Sequence, residues 1–156
     1  MVFEPTDEPI HHLKTMQAAS SAMGSWHESK LRVRYEETDA MQVVYYSKVF
    51  VWMEVGRVNL LRDIGHPYRE WEARGLGIPV VQAHADYQAS ARFDDEILVK
   101  TRVARVGKSS VMFEYEIYRL PDMLLLCFGH TIHALSVRIG KSVPFPQELK
   151  SKLTSS

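Results

Sequence analysis

The chain is poor in the features that mark several protein classes. It has one cysteine, Cys127, so no internal disulfide can form, which fits a reducing compartment. It has no excess charge of either sign. Lys plus Arg and Asp plus Glu both total 19, so no field draws it to nucleic-acid phosphates. The longest apolar run, Met123–Phe128, falls far short of the roughly 20 residues that span a bilayer. Glu4, Asp7 and Glu8 precede any Lys or Arg, which is not the layout of a secretory signal. A cytoplasmic location, with no membrane or nucleic-acid partner, is the expectation. No G-x-S-x-G elbow, Walker loop, G-x-G-x-x-G or C-x-x-C occurs.

What is present fits one domain of 156 residues with a 46% hydrophobic composition. Residues 1–28 read as a weakly structured extension: Pro5, Pro9 and the polar Gln17–Ser25 stretch leave at most a weak helix through Ile10, Leu13 and Gln17. Residues 29–156 form the domain. Leu31, Val33 and Tyr35 alternate with charges as a half-buried strand. Tyr46, Val49, Phe50, Met53, Gly56, Leu60, Leu61 and Ile64 then step at helical spacing up to a natural stop at Gly65. Tyr45, Val51, Trp52, Val55 and Val58 make that helix apolar on further faces, which predicts burial on most sides. A short helical turn over Pro67–Arg74 follows.

After Gly77 the pattern is strand. Ile78–Ala91 carries Ala83, Ala85, Ala89 and Ala91, small side chains suited to close approach of the helix backbone. Two alternating strands follow, one with Ile97, Val99, Thr101 and Val103, the other with Val111, Phe113, Tyr115 and Ile117. A long strand over Leu124–Arg138 comes next, and Pro146 opens a helix with Leu149 and Leu153. Turns this short require antiparallel pairing. The expected fold is α+β, one long helix wrapped by a curved antiparallel sheet. Its edge strand needs covering, which predicts a homodimer or homotetramer.

Among candidate sites, His130 and His133 point to opposite faces of a strand, and His84 and Asp86 make a hydrogen-bonded pair. His11-His12 lies in the weak N-terminal segment. No metal or bound cofactor is implied. The segment Thr38–Tyr46 carries one carboxylate, Asp39, just before a buried helix. A helix start offers free N–H groups to an oxygen gaining charge, and a carboxylate there can attack or activate water against a polarised carbonyl. Asp39 with Gln42 three residues on also reads as a capping box that merely starts the helix. The residues alone leave both readings open.

The run Tyr35-Glu-Glu-Thr-Asp-Ala-Met-Gln-Val-Val-Tyr-Tyr46, followed by Phe50, Trp52, Glu54 and Arg57, resembles the opening motif of hot-dog fold acyl-CoA thioesterases of the 4-hydroxybenzoyl-CoA thioesterase-like branch. The resemblance continues through Ile78–Val81, Tyr87, Ala91–Asp95 and Gly107–Ser109. It implies the hot-dog fold and hydrolysis of acyl-CoA to free acid and CoA. It places Asp39 as the catalytic carboxylate, as nucleophile or general base, and the backbone N–H of Tyr46 as the oxyanion donor. Lys108 and Ser109 fall in the turn that meets the CoA phosphates in relatives, although Lys108 also reads as a solvated turn lysine. Phe50, Trp52, Met53 and Tyr87 are candidates for the acyl pocket, although aromatic residues at helical spacing are more often core. Glu54 reads first as an ion pair with Arg57 and second as a residue shaping that pocket. Gln42 stands where relatives often carry glycine, and Lys48 where asparagine is common. Two alternatives stay beside this reading: hydrolysis of acyl groups on a carrier protein, and a non-catalytic acyl-CoA binding module.

Overall fold

A computed structural model describes residues 24–137 and 141–156. The weak helix through Ile10, Leu13 and Gln17 and the His11-His12 pair lie outside the described residues. The strands are β1 (His27–Arg32), β2 (Leu76–Gly77), β3 (Val80–Tyr87), β4 (Glu96–Val106), β5 (Ser110–Leu120), β6 (Leu124–Ala134) and β7 (Ser136–Val137). The helices are α1 (Lys48–Asp63), α2 (Tyr68–Ala73) and α3 (Gln147–Ser155). Five strands make one antiparallel sheet in the order β1-β4-β5-β6-β3, and β2 pairs with β7. β1 begins at His27, inside the stretch expected to be extension.

α1 buries Val49, Met53, Gly56, Leu60 and Leu61 of the predicted stripe, together with Trp52 from a neighbouring face, whereas Tyr46 stands before the helix and is exposed. It stops as expected at Gly65, whose φ of 83° only glycine takes without strain. There His66 N–H bonds Leu61 O and Gly65 N–H bonds Arg62 O, closing two otherwise free carbonyls. The helix lies on β4 and β1, and Gly56 makes the closest approach. A Cβ on Gly56 would run into the Thr101 side chain and reach Val99 Cγ1 at 2.9 Å. Val51 on the far side stays exposed, so α1 is less enclosed than its all-round apolar character predicts.

Strand alternation holds in β5, where Val111, Phe113, Tyr115 and Ile117 are all buried. The alanine strand departs from expectation. β3 lies at the sheet edge rather than under α1. Ala83 is exposed and Ala85 half-buried, while Ala89 and Ala91 sit beyond the strand's end. Close approach in that region belongs to Gly129 of β6, where a Cβ would collide with the His84 carbonyl of β3. β1 likewise stops before Tyr35, which is exposed in a 3₁₀ turn and meets Phe93 edge to face.

The histidines sort as their strand positions predict. His130 stacks on His84 at 5.4 Å on the outer face, and His84 Nε2 meets Asp86 Oδ2 at 2.7 Å. His133 is fully buried, and burial pushes its pKa down to about 4, so it is neutral. A carbonyl can only accept, so His133 Nδ1 donates to Ile78 O at 2.7 Å. Its Nε2 must then accept from the Thr131 hydroxyl at 2.7 Å, and Thr131 in turn accepts from Tyr115 OH. This directed chain ties β5 and β6 to the segment that feeds β3. α3 closes the core with Leu149 and Leu153, as Pro146 predicts. No helix among the described residues is long and apolar enough to cross a membrane.

Candidate active site

The segment between the 3₁₀ turn and α1 folds as a tight loop. Thr38 bridges Val44, Asp39 N–H donates to Val43 O at 3.0 Å, and Gln42 N–H donates to Asp39 O at 2.9 Å. To close it, Gln42 takes φ of 61°, the left-handed conformation that explains the frequent glycine at this position in the resembling family. Met41 N–H donates to Asp39 Oδ1 at 2.8 Å. That bond orients the half-buried carboxylate, and among the described residues Oδ2 has no partner.

Asp39 does not cap α1. The helix starts at Lys48 with Ser47 at its cap position and no side-chain cap bond. The capping-box reading therefore lacks its geometry. Around the helix start, Tyr45 N–H donates to Glu37 O at 2.8 Å and Lys48 N–H to Tyr45 O at 2.9 Å. Among the described residues nothing accepts from the N–H of Tyr46 or Ser47. Two donors at the positive end of a 16-residue helix are thus uncommitted. Tyr46 O is engaged instead, accepting from Tyr87 OH at 2.7 Å. Burial raises the Tyr87 pKa, with the Cys127 and Tyr46 groups adding to it, so this hydroxyl keeps its proton.

A cleft of about 300 Å³ opens beside these amides. Val44, Val49, Trp52, Leu126 and Cys127 give it apolar walls, Tyr46 and Tyr87 stand at it, and Ala89 and Ala91 keep it open. Val44 N–H donates to Ala91 O at 2.9 Å, joining the Asp39 loop to the opposite wall. The negative charge of Asp39 contributes to raising the Tyr45 pKa, after the hydrogen bond and charge of Tyr46 and burial. Tyr45 and Tyr46 rings are 4.7 Å apart. The Asp39 loop is thus tied through Val44 to the wall of the cleft that Tyr46 lines.

The other predicted residues are placed differently. Trp52 and Tyr87 line the cleft, whereas Met53 is sealed in the core and Phe50 packs half-buried against it. Glu54 is exposed, with its carboxylate 3.7 Å from Arg57. Lys108 and Ser109 occupy the β4–β5 turn, where their carbonyls hold Phe145 N–H and Leu135 N–H at 2.9 Å each. Val106 pairs Val111 at that end, while the cleft lies near Ile117 and its partner Cys127. At ~3.3 Å per residue the turn is about 20 Å from the cleft in one chain. Sequence reasoning missed Glu37, a buried carboxylate under the loop. Its neighbours are polar and follow no period, so nothing in the pattern set it apart from the exposed Glu36.

Comparison with known proteins identifies the family and the fold. The Thioesterase-like superfamily matches residues 33–153. The chain belongs to this superfamily, and its fold is the hot-dog fold. The acyl-CoA thioesterase YbgC of Haemophilus influenzae is 32% identical over 124 residues, covering 78% of this chain and 89% of that protein. YneP of Bacillus subtilis is 36% identical over 91 residues, 58% of this chain and 66% of that protein. A hypothetical protein from Thermus thermophilus superposes with a TM-score of 0.79 at 34% identity, covering 84% of this chain and 97% of that one.

Proposed function

We propose that the protein hydrolyses acyl-CoA thioesters, with Asp39 as the catalytic carboxylate and the amide at Tyr46 as oxyanion donor. One observation carries this reading: Asp39, which caps no helix, stands in the loop that leads into two uncommitted N–H groups just before the helix, and Tyr46, which carries one of them, lines the apolar cleft. The acyl group would occupy the apolar cleft, with its carbonyl oxygen against the Tyr46 N–H. Asp39 Oδ2 then adds to the carbonyl carbon, or takes a proton from the water that adds to it. The C–S bond breaks, the sulfur leaves as CoA thiol, and water supplies the oxygen of the free acid. Each oxyanion donor removed from such a site typically raises the barrier by about 3 kcal/mol. The relatives named acyl-CoA thioesterases support the choice of substrate.

The same reading makes β3 a pairing edge. Most of its residues are exposed, with Val81 62% exposed, and an open edge of this length invites a second copy. Antiparallel pairing of two β3 edges about a two-fold axis turns the second sheet end over end. Lys108 and Ser109 of the partner subunit then reach the end of the molecule that holds Asp39, where CoA phosphates would emerge.

The deciding experiment measures CoA released from acyl-CoA by the wild type and by Asp39→Asn. The expected result is a loss of at least about a hundredfold with the fold and oligomer unchanged. Wild-type turnover by Asp39→Asn overturns the assignment.

A further inference from the structure

The reaction outlined above leaves Glu37 unused, two residues before Asp39 and with a side chain only 3% exposed. A buried carboxylate is costly unless donors meet both oxygens. Here Arg34 N–H donates to Oε2 at 2.8 Å and the Trp52 indole N–H to Oε1 at 3.0 Å. The Arg34 guanidinium lies 3.5 Å from Oε1. The main chain of Glu37 is engaged as well, its carbonyl accepting Tyr45 N–H at 2.8 Å.

These partners belong to different parts of one site. Trp52 is a wall of the cleft. Tyr45 is joined by its own peptide bond to Tyr46, whose N–H is uncommitted. Thr38 alone separates Glu37 from Asp39, and its hydroxyl is anchored on Tyr35 O at 2.7 Å. Displacing Glu37 therefore moves carboxylate, amide and wall relative to one another. Apolar packing can fill the space around an indole, but it does not fix the ring's rotation as a donor–acceptor bond does.

We propose that Glu37 is a positioning residue, whose carboxylate fixes the Trp52 wall while its carbonyl and chain neighbours hold the Tyr46 amide and Asp39 in register with it. Through Trp52 it also sets how deeply an acyl chain enters. This rests on the thioesterase reading of the site.

The test compares wild type, Glu37→Gln, Trp52→Phe and the double variant on linear acyl-CoAs of increasing length, with free CoA as competing inhibitor. Glu37→Gln offers one oxygen to two donors, the Trp52 indole N–H and the Arg34 N–H, so one of those bonds is lost and the hold on the Trp52 ring is weakened. Its kcat should fall by roughly ten- to a hundredfold, since small misplacements near a reacting centre cost that much. Inhibition by CoA should stay within about twofold, because CoA binds outside the acyl cleft. The length preference should broaden toward longer chains. Trp52→Phe should broaden it in the same way, and the double variant should be no worse than the poorer single one, as for residues acting as a unit. Wild-type kcat and length preference in Glu37→Gln overturn the proposal. So does an equal loss at every length with additive effects, the mark of a purely structural role. If Glu37→Gln does not fold, a folded Trp52→Phe with the wild-type length preference overturns it equally. Failure of the underlying reading shows separately, as wild-type turnover by Asp39→Asn.

Discussion

The Tyr87 hydroxyl donates to the Tyr46 carbonyl at 2.7 Å, across 41 residues of sequence. That bond ties the end of the edge strand to the residue just before the cap of the long helix. It fixes the peptide plane that carries the Ser47 N–H, one of the two free donors. Tyr87→Phe keeps the ring at the cleft and removes only the donor. We expect kcat to fall by about three- to tenfold and stability by about 1 kcal/mol, the usual worth of one such bond. Steady-state kinetics beside urea unfolding separates the two effects.

Gln42 makes a second test of the same loop. Its φ of 61° costs a side-chain-bearing residue about 1–2 kcal/mol, partly offset by the greater freedom of glycine in the unfolded chain. Gln42→Gly should raise stability by about 0.5–1 kcal/mol, read as a higher urea midpoint. Gln42→Ala, which keeps the Cβ, should give no gain.

His133 makes stability depend on pH. Its folded pKa lies at about 4, below the ordinary value of 6.5, because burial penalises the charged ring. The unfolded chain therefore binds the extra proton first as pH falls. The contribution is complete above about 6.5 and is lost as pH drops toward 4. The full span is worth about 3 kcal/mol. Urea unfolding at pH 7 and at pH 4.5 should show most of that loss, and His133→Gln should flatten this part of the profile.

Gly56 tests the helix contact. Gly56→Ala brings a methyl against Thr101 and Val99, both fully buried. Overpacking of this kind costs about 1–3 kcal/mol. A lowered melting temperature in calorimetry is the expected outcome, whereas Gly65→Ala, with open space around it, should lose stability only through its φ.

Much of this was legible in the sequence where one face of an element is buried and the other is not. The α1 stripe, its stop at Gly65 and the alternation of β5 follow from that contrast, and the Asp39 motif was legible as a string of residue types. β3 was misread because small residues report close packing without saying against what. Its alanines fit an edge left open as well as a strand under a helix. Tyr35 was misread because the chain leaves the sheet at Arg34, where the Glu37 side chain takes up the Arg34 N–H. A bond between side chain and main chain leaves no trace in hydrophobic periodicity. The Glu37–Trp52 bond is hidden for the same reason.

Cys127 bears on how the reaction can be followed. The only thiol of the chain is 1% exposed, and burial pushes its pKa up to about 12. At pH 8 the reactive thiolate is then about one part in ten thousand. A chromogenic disulfide reagent added during turnover will therefore count liberated pantetheine sulfur against a silent protein background, and the enzyme should survive the reagent throughout a continuous assay.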